Sequence, residues 1–169
     1  MKKYGPRYHV KTRRHRDGRT DYRQRLRLLR SKQPRLVVRR SLKQIQIQFV
    51  EYNNNGDKIL SSVLSNELRN TYNWEYSGAS IPAAYLTGLI AGKKAVENGI
   101  ENCILDIGRY RATKGSKLFA AMKGVIDAGV HCPHDEEMIP TEDRLMGKHI
   151  KPDMASKVEK LKKEIIGAK

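Results

Sequence analysis

Ile45-Gln46-Ile47-Gln48-Phe49, followed closely by Asn53-Asn54-Asn55-Gly56-Asp57, is the stretch that decides the fold. Side chains of an extended chain alternate between two faces, so Ile45, Ile47 and Phe49 share one face and Gln44, Gln46 and Gln48 the other. The alternation spans residues 43–52 and predicts a strand with one face on a core. The Asn-rich run ending in Gly56 is a turn signal. Residues 58–64 then return as another strand. Upstream, Arg-Leu-Val-Val-Arg-Arg-Ser at 35–41 reads as a strand too. Three strands joined by short turns predict an antiparallel meander.

Helical signals flank it. Downstream, residues 80–98 predict a helix that Ser80 can cap, with Pro82 in its first turn and Gly99 after its end. Ile81, Tyr85, Leu89 and Val96 mark its apolar face. Gly88 and Gly92 lie four apart; with Lys93 and Lys94 adjoining, they indicate close packing on a sheet rather than a membrane dimer. Cys103-Ile104-Leu105-Asp106-Ile107 suits a buried strand, and a helix is expected from Ser116 to Ala128, stopped by Gly129. Residues 133–152, with three prolines, read as loop. Residues 153–166 carry Met154, Val158, Leu161 and Ile165 at helical spacing. Upstream, a helix from Thr20, capped by Thr20 or Asp21 and closed by Pro34, would set Tyr22, Leu26 and Leu29 on one stripe. The expected fold is α/β: a mixed sheet holding the three-strand meander, with helices packed on it, plus a basic extended N-terminal arm. The expected organisation is an arm over 1–19, a core domain over 20–132, and a C-terminal loop and helix over 133–169.

The charge is uneven. Of 34 Lys and Arg, sixteen fall in residues 1–40, against only Asp17 and Asp21, a net of +14 in a chain of net +16. A field so concentrated, with a pI near 10.0, selects a dense polyanion such as nucleic acid. Tyr4, Tyr8, His9, His15 and Tyr22 are interleaved with the cations, and such rings can stack on unpaired bases. Residues 1–19 alone have too little to bury to offset the entropy of ordering them. No run of about 18 apolar residues exists to cross a bilayer, and no apolar segment follows Lys2, Lys3 and Arg7 as a secretory signal would. Cys103 and Cys132 are therefore expected to be reduced, in a cytosolic protein.

Three other constellations bear on chemistry. Gly108-Arg109-Tyr110-Arg111-Ala112-Thr113-Lys114-Gly115-Ser116-Lys117 joins the strand to the next helix. Its order Lys-Gly-Ser differs from the Gly-Lys-Ser/Thr of a nucleoside-triphosphate loop. It reads either as a clamp on a bound strand's phosphate at a helix N-terminus, or as an ordinary basic turn capped by Ser116. His131, Cys132 and His134, with Cys103 and His149 elsewhere, lack the paired spacing of a zinc site. The carboxylates Asp106, Asp127, Asp135, Glu136, Glu137, Glu142 and Asp143 are explained by salt bridges and helix caps, with Thr141 as a further cap. A metal-dependent RNA-processing enzyme, the alternative reading, would need several of them to converge. No metal, cofactor or small-molecule substrate is called for.

Several segments together resemble a known family. Gly5-Pro6-Arg7-Tyr8, Gly18-Arg19-Thr20-Asp21-Tyr22-Arg23-Gln24-Arg25-Leu26 and Pro34-Arg35-Leu36-Val37-Val38-Arg39-Arg40-Ser41 look like the opening of archaeal-type ribosomal protein L-eighteen. The likeness continues through Thr87-Gly88-Leu89-Ile90-Ala91-Gly92-Lys93-Lys94-Ala95, Leu105-Asp106-Ile107-Gly108, Thr113-Lys114-Gly115-Ser116-Lys117, Ala128-Gly129, Pro133-His134-Asp135-Glu136-Glu137 and Pro140-Thr141-Glu142-Asp143-Arg144. Ala112 departs from the family's usual proline, and Asn53 to Asn55 make an unusually polar turn. The resemblance implies a non-catalytic protein of the large ribosomal subunit, cytoplasmic within the ribosome. It would bind 5S ribosomal RNA in the central protuberance and bridge it to the large-subunit RNA and neighbouring proteins. Carried onto this chain, RNA contact falls to Arg7, Tyr8, Lys11, Arg13, Arg14, Arg16 and Arg19 of the arm. It continues with Tyr22, Arg23, Arg25, Arg27 and Arg30, then Arg39, Arg40, Ser41 and Lys43 on the sheet. The loop adds Arg109, Arg111, Thr113, Lys114, Gly115 and Ser116.

Overall fold

The computed structural model describes residues 5–167. Four strands form one sheet: β1 (Arg35–Arg40), β2 (Ile45–Glu51), β3 (Lys58–Leu64) and β4 (Ile104–Asp106), in the order β3-β2-β1-β4. The meander is antiparallel as expected, with Val38 opposite Ile47 and Gln48 opposite Ser62. β4 returns parallel to β1, placing Asp106 beside Val37. A parallel return needs a crossover, which helix α4 (Ile81–Glu97) supplies. The other helices are α1 (Arg13–Arg16), α2 (Tyr22–Leu29), α3 (Asn66–Tyr72), α5 (Lys117–Asp127), α6 (Glu142–Met146) and α7 (Pro152–Gly167). The fold is therefore mixed α/β.

The period-two pattern places Leu36, Val38, Ile45, Ile47, Phe49 and Val63 in the core, all essentially inaccessible. Each such side chain contributes on the order of 1.5–3 kcal/mol of burial. α4 is held at its start by the Ser80 hydroxyl, which accepts from the Ala83 N–H at 3.3 Å. It ends where Gly99 turns left-handed at φ 73°. It is buried on nearly every side, because the sheet, α5 and α7 all pack on it. The one-faced helix expected from Ile81, Tyr85, Leu89 and Val96 is thus corrected: Val96, near the C-terminal end, is half exposed.

Gly88 and Gly92 serve helix–helix packing rather than packing on the sheet. A Cβ on Gly88 would run into the Ala121 carbonyl and lie 3.1 Å from the Gly124 Cα; one on Gly92 would lie 2.6 Å from the Ala128 Cβ. The glycines let the α4 and α5 backbones touch, which the sheet does not require of them.

Residues 133–152 are less irregular than expected. Asp135 caps a 3-10 turn at Glu136–Met138 by accepting from the Glu137 N–H at 3.1 Å, and α6 follows. Thr141 and Ser116 occupy the N-cap positions of α6 and α5, but neither side chain makes a capping bond. The Ser116 hydroxyl is buried without a partner among the described residues. α3 was not anticipated at all; it precedes Trp74, which is 2% exposed. The α7 stripe Met154, Val158, Leu161 and Ile165 is fully buried, joining the C-terminal helix to the core.

Candidate nucleic-acid interface

The sheet face opposite the core carries Arg35, Val37 and Arg39 on β1, with Asp106 alongside on β4. A carboxylate in an apolar strand needs a partner, because burial of an unpaired charge is costly. Asp106 has three. Arg35 Nη1 donates to its Oδ2 at 2.7 Å. Arg39 Nη2 donates to its Oδ1 at 3.2 Å, and the Gly108 N–H to the same oxygen at 2.8 Å. Burial alone would raise the carboxyl's pKa; the Arg39 charge and these hydrogen bonds outweigh it and hold the group below the usual carboxylate value.

Arg35 is 4% exposed and also donates to Asp57, at 2.6 Å. Asp57 stands at the end of the Asn-rich turn and accepts from Arg25 of α2 at 2.8 and 2.9 Å. One chain of ion pairs thus runs from α2 through the β2–β3 turn into the sheet. It fixes which face of α2 turns inward. Asp21, Gln24, Arg25 and Leu28 share a cleft with Arg35 and Arg39, while Tyr22 and Leu26 of the expected stripe are 40% and 58% exposed. The apolar stripe lost because the inward face meets ion-pair partners, not an apolar surface.

The N-cap of α2 is Asp21, which accepts from the Arg23 and Gln24 N–H groups at 2.9 and 3.1 Å. The Gln24 bond is the main influence holding its carboxyl below the usual value. Before it, the arm makes one helical turn, α1. Arg7, Tyr8, Lys11, Arg13 and Arg16 are exposed there. Arg14 Nε donates to Thr20 Oγ1 at 3.0 Å, and Arg19 stands 4.0 Å from Asp17. Arg23, Arg27 and Arg30 point outward from α2, without acidic partners among the described residues.

The hairpin and the loop complete the surface. Arg40 stacks over the Tyr110 ring at 5.1 Å, and the Tyr110 hydroxyl donates to the Arg40 carbonyl at 2.7 Å. The Ser41 hydroxyl accepts from the Lys43 and Gln44 N–H groups, so it shapes the hairpin tip that presents Lys43. Arg109, Arg111, Thr113 and Lys114 are exposed. Lys114 is paired with Glu137, and the Gly115 N–H donates to the Met138 carbonyl at 3.0 Å. The structure brings the arm, α2, β1 and Arg109 together around one cleft. The Lys114–Ser116 loop is instead tied to the 3-10 turn. The Arg25–Asp57–Arg35–Asp106–Arg39 chain was missed from sequence. A lone Asp106 in an apolar strand was the signal that a cation must lie beside it.

Both oxygens of Asp106 are committed to arginines and a backbone N–H. No three His, Cys, Asp or Glu side chains converge as a metal site among the described residues. No helix of the described residues is long and apolar enough to cross a membrane.

The fold and this surface define an α/β domain that presents a basic N-terminal arm and an arginine-lined cleft. Residues 6–101 and 95–135 match the family described as ribosomal large subunit proteins 60S L5, and 50S L18, and the chain belongs to that family. It is 50% identical over 158 residues to the large ribosomal subunit protein uL18 of Korarchaeum cryptofilum, covering 94% of this chain and 78% of that protein. The uL18 protein of Methanococcoides burtonii is 49% identical over 86% of this chain and 84% of its own. That of Aeropyrum pernix is 43% identical over 95% and 73% respectively. Members of this family are rRNA-binding structural constituents of the ribosome, in the cytoplasm, and not enzymes.

Proposed function

We propose that this protein binds 5S ribosomal RNA and bridges it to the large-subunit RNA and neighbouring proteins in the central protuberance. The observation that carries this reading is the net +14 on residues 1–40, most of it exposed. In this proposal residues 1–19 and α2 supply the main RNA contacts, the β1–β2 hairpin adds Arg40 and Lys43, and the Lys114 loop adds a lesser one. Arg25 and Arg39, held by Asp57 and Asp106, shape the surface more than they reach across it. Residues 20–132 form the platform, and the described residues from 133 to 167 complete its packing.

The test is filter binding of 5S RNA and of an unrelated RNA of equal length across a salt series. Neutralising about six to ten phosphates predicts an affinity loss of roughly 10³–10⁵ between 50 and 200 mM salt. A flat salt dependence would refute the electrostatic account. Equal affinity for the unrelated RNA would refute the choice of 5S RNA.

A further inference from the structure

Two Asn-Gly pairs occur in the chain, Asn55-Gly56 and Asn98-Gly99. Asparagine before glycine is open to attack by the main chain on its own side chain, because glycine has no Cβ to obstruct the attacking nitrogen. All four residues are exposed, so exposure does not separate the pairs. The backbone around them does. Asn98 is the C-cap of α4, with ψ 9°. Its N–H donates to the Lys94 and Ala95 carbonyls, the Gly99 N–H to the Val96 carbonyl at 2.9 Å, and the Ile100 N–H to the Ala95 carbonyl at 2.9 Å. Ile100 is buried, and the Asn98 amide reaches the Leu60 carbonyl at 3.5 Å. Ring closure has to rotate ψ of the asparagine away from the value that such a cap holds. The turn after β2 has less to restrain it. The Gly56 N–H donates to the Asn53 carbonyl at 3.0 Å, and the Asn55 N–H to Asn53 Oδ1 at 3.3 Å. Both bonds lie within an exposed loop tip, which opens at little cost.

We propose that Asn55 is a site of spontaneous deamidation, and that its product loosens the ion-pair clasp at Asp57. The Gly56 nitrogen attacks Asn55 Cγ. The N–Cγ bond forms as the Cγ–Nδ2 bond breaks, and Nδ2 leaves as ammonia with the Gly56 amide proton. A cyclic imide remains. Water opens it at Cγ to give aspartate, or at the main-chain carbonyl carbon of Asn55 to give β-linked isoaspartate. Either product places a new negative charge close before Asp57, and the β-linkage also inserts the Cβ into the main chain. Asp57 accepts from Arg25 at 2.8 and 2.9 Å and from Arg35 at 2.6 Å. Bonds of this length depend on where the backbone sets the carboxylate, and a lengthened turn moves it. The new carboxylate also competes for Arg25, whose side chain is 33% exposed. Arg25 is the link from α2 to the turn, so α2 is the element released.

The experiment ages the full chain in mildly alkaline buffer made with heavy-oxygen water, beside Asn55→Gln, whose longer side chain closes its imide far more slowly. Peptide mapping by mass spectrometry locates the incorporated oxygen. A carboxyl methyltransferase specific for isoaspartate marks the β-linked product, and amide hydrogen exchange over Tyr22–Leu29 reports the hold on α2. Heavy oxygen should enter at residue 55 well before residue 98, faster as pH rises, and the methyl label should fall on the same peptide. Exchange of α2 should quicken in the aged chain and stay unchanged in aged Asn55→Gln. Before ageing, the two proteins should exchange alike, which shows that the substitution itself leaves the clasp in place. No incorporation at residue 55, or incorporation at residue 98 as fast as at 55, would overturn the site. Incorporation at residue 55 with the exchange of α2 unaltered would overturn the effect on the clasp and leave the site standing.

Discussion

Replacing Asp106 by alanine should destabilise the domain by about 3–5 kcal/mol, the cost of stranding one partner of a buried ion pair. The structure supports the upper part of that range. The side chains of Arg35 and Asp106 are only 5% and 8% exposed, and the substitution leaves Arg35 with Asp57 alone. It also removes the acceptor of the Gly108 N–H and the charge facing Arg39. Arg39 is 38% exposed, so solvent recovers part of its loss. For a chain of this length the melting temperature should fall roughly 6–20 °C. Urea denaturation followed by circular dichroism measures the free energy. The pH dependence identifies the cause. The Asp106 carboxyl is held below its ordinary value of 3.8, so its contribution is complete above that value and is lost as pH falls through the lower folded value. The gap between natural protein and variant should therefore be constant from pH 7 to about 5 and shrink below about 4. A loss under about 1 kcal/mol, the level of a surface pair, or a gap that does not change down to pH 2, would refute the reasoning.

Gly124→Ala should destabilise by about 1–3 kcal/mol, because the new Cβ meets the Tyr85 carbonyl and lies 2.8 Å from the Leu89 nitrogen. Helix propensity alone predicts a gain of up to about 1 kcal/mol, so the sign of the change in urea midpoint decides. Asp57→Ala removes a negative charge, yet it should weaken RNA binding about fivefold by undocking α2 from the sheet; a gain in affinity would show that charge alone governs. Lys114→Ala should weaken 5S RNA binding by at most about 1–2 kcal/mol, since Glu137 already competes for the ammonium; unchanged affinity would leave the loop as a basic turn.

What could be read from the sequence was whatever depends on neighbours along the chain. The alternation of Ile45, Ile47 and Phe49, the Asn-rich turn, and the Ser80-Pro82-Gly99 punctuation of α4 each follow from local geometry, and the structure reproduces them to within a residue or two. The imbalance of charge is likewise a property of composition, and with the family segments it was enough to point to RNA. Tertiary structure alone decided where the charges go. Asp57 and Asp106 lie 49 residues apart in sequence, and nothing local announces that both hold Arg35. The inward face of α2 was chosen by that ion-pair chain rather than by its leucines. The same holds for Gly88 and Gly92: their spacing on α4 is visible in the sequence, but which backbone each one meets is set by how α4 crosses α5. Hydrophobic periodicity acts over a few residues, while ion pairs and close backbone contacts join segments that only the folded chain brings within reach.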